Sequence, residues 1–159
     1  MSWVADLAAQ AGYRAVANAE LQAREPRFAP VPDELEPTLR DHLIQAWSGG
    51  LYSHQAAALE GFLDGRDVCL STSTASGKSL VFMAAATHQL LTDSRTTVLA
   101  LYPAKALIQD QIRKWRAQLD PFGIPFGHID GGVRTDARLD VLRASRVLLM
   151  TPDVSHAWL

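Results

Sequence analysis

Cysteine is nearly missing from this 159-residue chain: Cys69 stands alone, which excludes an internal disulfide framework and any cysteine-based zinc site built within these residues. Its place in the apolar run 68–70 predicts a buried, inert thiol. Long hydrophobic runs are missing too. Every apolar stretch breaks well short of the roughly 18 to 20 residues that a bilayer span requires. The N-terminus has no basic segment followed by an apolar core. We therefore expect a cytoplasmic protein with no membrane partner. His54, His128 and His156 lack metal-ligand spacing and read as packing or solvated residues. Neither internal repeats nor low-complexity tracts occur.

What is present is ordinary for a globular domain, with 48% hydrophobic and 20% charged residues. The net charge of −2 argues neither for nor against a polyanionic partner, but its distribution is uneven. Residues 1–64 hold nine acids against four bases, whereas residues 103–146 hold eight bases against five acids. Such asymmetry fits a polyanion-facing side and fits a solvated helix surface equally well.

Along the chain, residues 3–23 are rich in Ala, Leu, Glu and Gln without proline and read as a helix ending before Pro26. "EPRFAPVPDELEP" follows, with four prolines in thirteen residues, and reads as an extended connector. A short helix is expected over 37–46, broken by Gly49-Gly50, and a second one through Leu63 with Ser53 as its N-cap. Strands and helices then alternate. Strands are expected at 67–71, 97–102, 126–129 and 147–150, and helices at 79–91, from Pro103 onward, and at 135–143. On the Pro103 helix, Ile108, Ile112, Trp115 and Leu119 recur at helical spacing as one apolar stripe. This alternation implies an α/β fold, a parallel sheet flanked by helices.

Within it, "LSTSTASGKSLVF" ends like a phosphate-binding loop. Backbone N–H groups of such a loop wrap phosphates, its lysine reaches the β and γ phosphates, and its Ser or Thr hydroxyl ligates magnesium at a helix N-terminus. The stringent pattern fails, because Thr72 stands where the leading glycine belongs. A bare Gly77-Lys78-Ser79 is common by chance and competes evenly with a plain surface turn.

Context decides. "LYSHQ", "TSTASGKS", "YPAKALIQDQ", "DGG" and "TPD", in that order, resemble the first RecA-like domain of superfamily 2 DEAD/DEAH-box helicases over about residues 27–159. Gln55 precedes Lys78 by 23 residues, a spacing typical of the family's adenine-reading motif. The loop variant and the proline-rich approach to "LYSHQ" look most like the bacterial mitomycin-repair-type DNA helicases. The resemblance implies an incomplete RecA-like P-loop domain over 26–159, preceded by a helical extension over 1–25.

The resemblance also implies roles. ATP and Mg2+ would be held by Tyr52, Gln55, Thr74, Ala75, Ser76, Gly77, Lys78 and Ser79. Lys78 would act as phosphate cation and Ser79 as magnesium ligand. Gln55 would pair its amide with the two-way edge of adenine, favouring ATP over GTP; Tyr52 would wall the base or serve the core. Pro103, Lys105, Gly131, Gly132, Thr151, Pro152 and Asp153 would contact a nucleic-acid backbone. Read without that family, Gly-Gly is a turn and Thr-Pro-Asp a helix cap. DNA, single-stranded or at a duplex junction, is favoured over RNA through the subfamily alone.

Nowhere does the chain contain the Asp-Glu-x-His or Asp-Glu-Ala-Asp run that the family uses to ligate magnesium and position water. We therefore expect the N-terminal piece of an ATP-dependent helicase, lacking its remaining helicase domains and inactive by itself. The alternatives are a non-catalytic nucleotide-binding remnant and a fragment of an RNA helicase.

Overall fold

The computed structural model describes residues 25–73, 76–132 and 134–157. The expected helix over 3–23 and the loop residues Thr74 and Ala75 lie outside the described residues.

The proline-rich connector is extended through its first residues and then turns at 33–35, where Leu35 N–H lies 3.5 Å from the Pro32 carbonyl oxygen. Between Pro26 and Pro30, strand β1 (Phe28–Ala29) forms a short antiparallel ladder with β2 (Leu51–Tyr52). Further on, Val31 and Leu35 plug into the core. Helix α1 (Pro37–Ala46) starts with proline at its first turn, and the Glu36 carboxylate accepts from the Leu39 N–H at 3.0 Å. Gly50 then turns the chain at φ 88°, where a Cβ would collide with the Ala29 carbonyl oxygen. That turn delivers β2 straight into α2 (Ser53–Leu63). Tyr52, not Ser53, is the N-cap of α2: its backbone N–H is bound by Gln55 Oε1 at 2.9 Å. Gln55, at the third helical position, reaches back to the N-cap N–H, which is the reciprocal half of a capping box.

Helix α3 (Lys78–Thr92) has no charged side chain after Lys78 and is buried from two sides. Val81, Ala84 and Ala85 pack toward α1 and α2, while Met83, Ala86 and Leu90 pack toward α4 (Lys105–Leu119) and the sheet. The α4 stripe behaves as its spacing predicts, with Ile108, Trp115 and Leu119 fully buried and Ile112 half-buried. Pro103, however, lies outside the helix. Ala104 adopts extended backbone (φ −149°, ψ 147°) and is the N-cap, making Lys105 the first helical residue.

The sheet has three parallel strands, β3 (Val98–Leu101), β4 (Phe126–Ile129) and β5 (Val147–Met150), in the order β3-β5-β4. A one-turn 3-10 segment (Asp120–Phe122) links α4 to β4, and α5 (Thr135–Ala144) links β4 to β5. The central strand β5 buries Val147, Leu149 and Met150. A short helix, α6 (Pro152–His156), follows.

One expected strand does not form. Residues 67–71 make no ladder with any described strand. A strand exists only through its pairing, and between this segment and the free edge of β3 lies a cleft of about 1020 Å³. Cys69, expected to be buried, is exposed for the same reason. Among the described residues no helix is long and apolar enough to cross a membrane.

Candidate functional site

The sequence motifs gather where the fold turns from strand to helix. In the loop before α3, Gly77 is the N-cap in left-handed conformation (φ 77°, ψ 22°), which glycine adopts without strain. The N-cap Gly77 has no side chain to cap α3, and among the described residues no side chain accepts from its first N–H groups. The Lys78 ammonium folds back over the loop and donates to the carbonyl oxygens of Thr72 at 2.8 Å and Ser73 at 2.6 Å. Thr72, at the position of the missing glycine, closes the loop through its hydroxyl, 2.6 Å from Ser76 Oγ. An uncapped helix N-terminus, a lysine over the loop and the Ser79 hydroxyl in the next position form a donor set that fits a magnesium-bound polyphosphate.

Gln55 is buried and ties this loop to the other half of the site. Its Oε1 accepts from Tyr52 N–H at 2.9 Å while its Nε2 donates to the Gly77 carbonyl at 3.0 Å. A primary amide has two donors and two lone pairs, so each end keeps one further valence. Beside it, Phe28, Tyr52 and His54 stack, with ring centroids 5.2 Å apart for Phe28–Tyr52 and 5.7 Å for Tyr52–His54. A cavity of about 840 Å³ lined by Pro26, Arg27, Tyr52, His54 and Ser76 opens next to that stack. His54 is no bystander: Nε2 lies 3.0 Å from the Ser76 carbonyl, within the loop. Phe28 and Arg27 escaped the sequence reading, which took His54 for a packing or solvated residue. Their signal was the β1–β2 pairing, which sets Phe28 opposite Tyr52.

The second group occupies one edge of the sheet. Leu101, Met150 and Ile129 stand in one row across the three parallel strands. The segments that follow them therefore emerge side by side: Pro103 and Lys105 after β3, Gly131 and Gly132 after β4, and Thr151, Pro152 and Asp153 after β5. Strand ends of a parallel sheet are where ligands collect. Lys105 opens α4, which no side chain caps, and Thr151 precedes α6 with its hydroxyl making no cap bond.

Asp130, also missed, is the buried member of this group. Its Oδ1 accepts from the Gly132 N–H at 2.7 Å and lies 3.2 Å from Lys105 Nζ. Burial pushes the Asp130 carboxyl up, and the bonds from Gly132 and Lys105, with the charges of Lys105 and His128, more than reverse this. Its pKa therefore lies below the ordinary carboxylate value. Among the described residues no cluster of His, Cys, Asp and Glu has the makings of a metal site.

Comparison with known proteins follows the same lines. A family model described as DEAD/DEAH box helicase matches residues 52–159. The ATP-dependent helicase HRQ1 of Saccharomyces cerevisiae is 36% identical over 109 residues, which cover 66% of this chain and 10% of that protein. The uncharacterized ATP-dependent helicase YprA of Bacillus subtilis is 29% identical over 140 residues, 87% of this chain and 19% of YprA. Two crystal structures of the DUF1998 helicase MrfA, one bound to DNA and one to DNA and AMPPNP, match with a TM-score of 0.81 each. They are 28% and 29% identical, covering 98% and 96% of this chain and 23% and 22% of theirs. The chain thus spans only a tenth to a quarter of the length of these relatives.

Proposed function

Because the chain belongs to the DEAD/DEAH box helicase family, we propose that residues 26–159 supply the nucleotide-holding and strand-contacting part of an ATP-dependent DNA helicase serving repair, with residues 1–25 as a separate extension. The observation that carries this reading is the Lys78 ammonium poised over its loop at the uncapped start of α3. ATP with Mg2+ is the group that fits. The backbone N–H groups of Thr74, Ala75, Ser76 and Gly77 would line the phosphates, with Lys78 as their cation and Ser79 as the magnesium hydroxyl. When bound, the nucleotide supplies the transferable phosphoryl group.

On the base side, the free valences of Gln55 suit the donor–acceptor edge of adenine, and Tyr52 with Phe28 offers a flat apolar wall. Guanine presents the reverse pattern, which gives the selectivity. Pro103, Lys105, Gly131, Gly132, Thr151, Pro152 and Asp153 would contact a DNA backbone across the sheet edge, with the Lys105 ammonium, the glycine N–H groups and the Thr151 hydroxyl as the phosphate donors. Their side-by-side emergence supports this, as does the DNA in both MrfA structures. The protein would work in the cytoplasm.

Equilibrium binding of ATP and GTP, each with and without magnesium, tests the nucleotide half. ATP should bind more tightly than GTP, and magnesium should strengthen it. Equal affinity for the two nucleotides would remove Gln55 from base reading; no binding of either would remove the site.

A further inference from the structure

Asp130 is an odd neighbour for a surface meant to hold phosphates. It places a negative charge inside the proposed strand-contacting edge, yet its side chain is only 4% exposed, and one oxygen, Oδ1, takes both the Gly132 N–H and the Lys105 ammonium. Lys105 is 59% exposed. An ammonium has three donors, so one can rest on Asp130 while the other two face solvent. The glycine is fitted to the same contact. A Cβ on Gly132 would lie 2.8 Å from Lys105 Nζ and 3.1 Å from Asp130 Oδ1, so a larger residue would shift the lysine tip from its present place beside the carboxylate.

We propose that Asp130 is a positioning residue for nucleic-acid binding: it sacrifices local charge to fix the Lys105 ammonium and the Gly131–Gly132 turn in one geometry toward a single strand phosphate. The inference rests on the reading of Lys105 as a phosphate contact. A long lysine side chain loses rotamer freedom when it is immobilised. A lysine already held by a buried carboxylate brings less of that entropy to lose when the strand arrives. The depressed carboxyl pKa accords with an anion kept charged for this purpose.

Charge and positioning predict opposite signs, and this makes the inference testable. Asp130→Asn removes one negative charge from the edge, a net change of +1, and its amide oxygen still accepts from Gly132 N–H. If Asp130 were only a charge, the variant would bind polyanions more tightly. A positioning role predicts that a fluorescent single-stranded oligonucleotide binds several-fold more weakly despite the lost negative charge. The log–log salt slope should become shallower by about one, as in Lys105→Ala. In the Lys105→Ala background, D130N should add nothing.

Gly132→Ala carries the test without any charge change: it should weaken binding in the wild-type background and have little effect with Lys105→Ala. Tighter binding by D130N with an unchanged or steeper slope overturns the inference, and so does an equal loss in the Lys105→Ala background. If Lys105→Ala itself leaves affinity and slope unchanged, the strand-contact reading falls, and the inference with it.

Discussion

Gln55 Nε2 donates to the Gly77 carbonyl at 3.0 Å, so the start of α2 and the phosphate loop are mechanically one unit. The same amide holds the Tyr52 N–H, so a change on the base side reaches the loop through a single side chain. Gln55→Ala leaves a backbone donor and a backbone acceptor without their side-chain partner, at a cost of about 1–3 kcal/mol. Gln55→Glu keeps the Tyr52 bond and loses the other. Both variants should weaken ATP binding, and the alanine should lower Tm more. Gly77→Ala attacks the same contact from the loop, since left-handed φ costs an L-residue about 1–2 kcal/mol and the new Cβ meets Gln55. Wild-type ATP affinity in Gln55→Ala would show that the link does not matter.

Acid should loosen the fold in two stages. His88 Nδ1 accepts from the Glu36 N–H at 3.0 Å, which requires the neutral ring. Burial depresses the His88 pKa below its ordinary 6.5, with the Glu36 charge offsetting only part of this. The unfolded chain therefore takes up this proton first, and stability falls as pH drops below about 6.5 toward the lower folded value. Glu36 and Asp130 also titrate below their ordinary values of 4.5 and 3.8, so their contributions are present above those values and are lost on further acidification. Chemical denaturation across pH checks this. His88→Asn, whose Oδ1 can accept the same N–H, should flatten the upper stage only. An unchanged upper stage in that variant would assign it to another group.

The cleft beside β3 predicts poor solution behaviour for the 159 residues on their own. Val68, Phe82, Leu99 and Leu101 are 41–52% exposed around an unpaired strand edge. An open edge of apolar strand is an aggregation template. The isolated polypeptide should unfold with low cooperativity and scatter light on heating, and Leu99→Lys should improve its solubility. A sharp unfolding transition from a stable monomer would show that the three-stranded core suffices.

Much of this was legible because it is local. The stripe Ile108, Trp115, Leu119, the strands at 126–129 and 147–150 and the helix at 37–46 follow from periodicity and turn residues alone. Residues 67–71 were illegible because their apolar composition reports a strand-forming tendency, whereas a ladder needs a partner that no window of sequence displays. Ser53 and Pro103 each missed their expected role by one or two residues, because Tyr52 takes the non-helical N-cap conformation (φ −58°, ψ 142°) and Ala104 took the extended conformation. In the site, the loop residues were visible as a motif. Asp130 and Phe28 were not, since each matters through one long-range contact, to Lys105 and to Tyr52.

Steady-state ATP hydrolysis by the full-length helicase that carries these residues, with and without single-stranded DNA and compared with Lys78→Ala, tests the central claim most directly. Removing the ammonium leaves the phosphates without their loop cation, a loss of charge stabilisation on the scale of about 100-fold or more in turnover. The account predicts hydrolysis by the full-length helicase that DNA stimulates and that Lys78→Ala abolishes, and none above background from the 159 residues alone. Undiminished turnover in Lys78→Ala would contradict it.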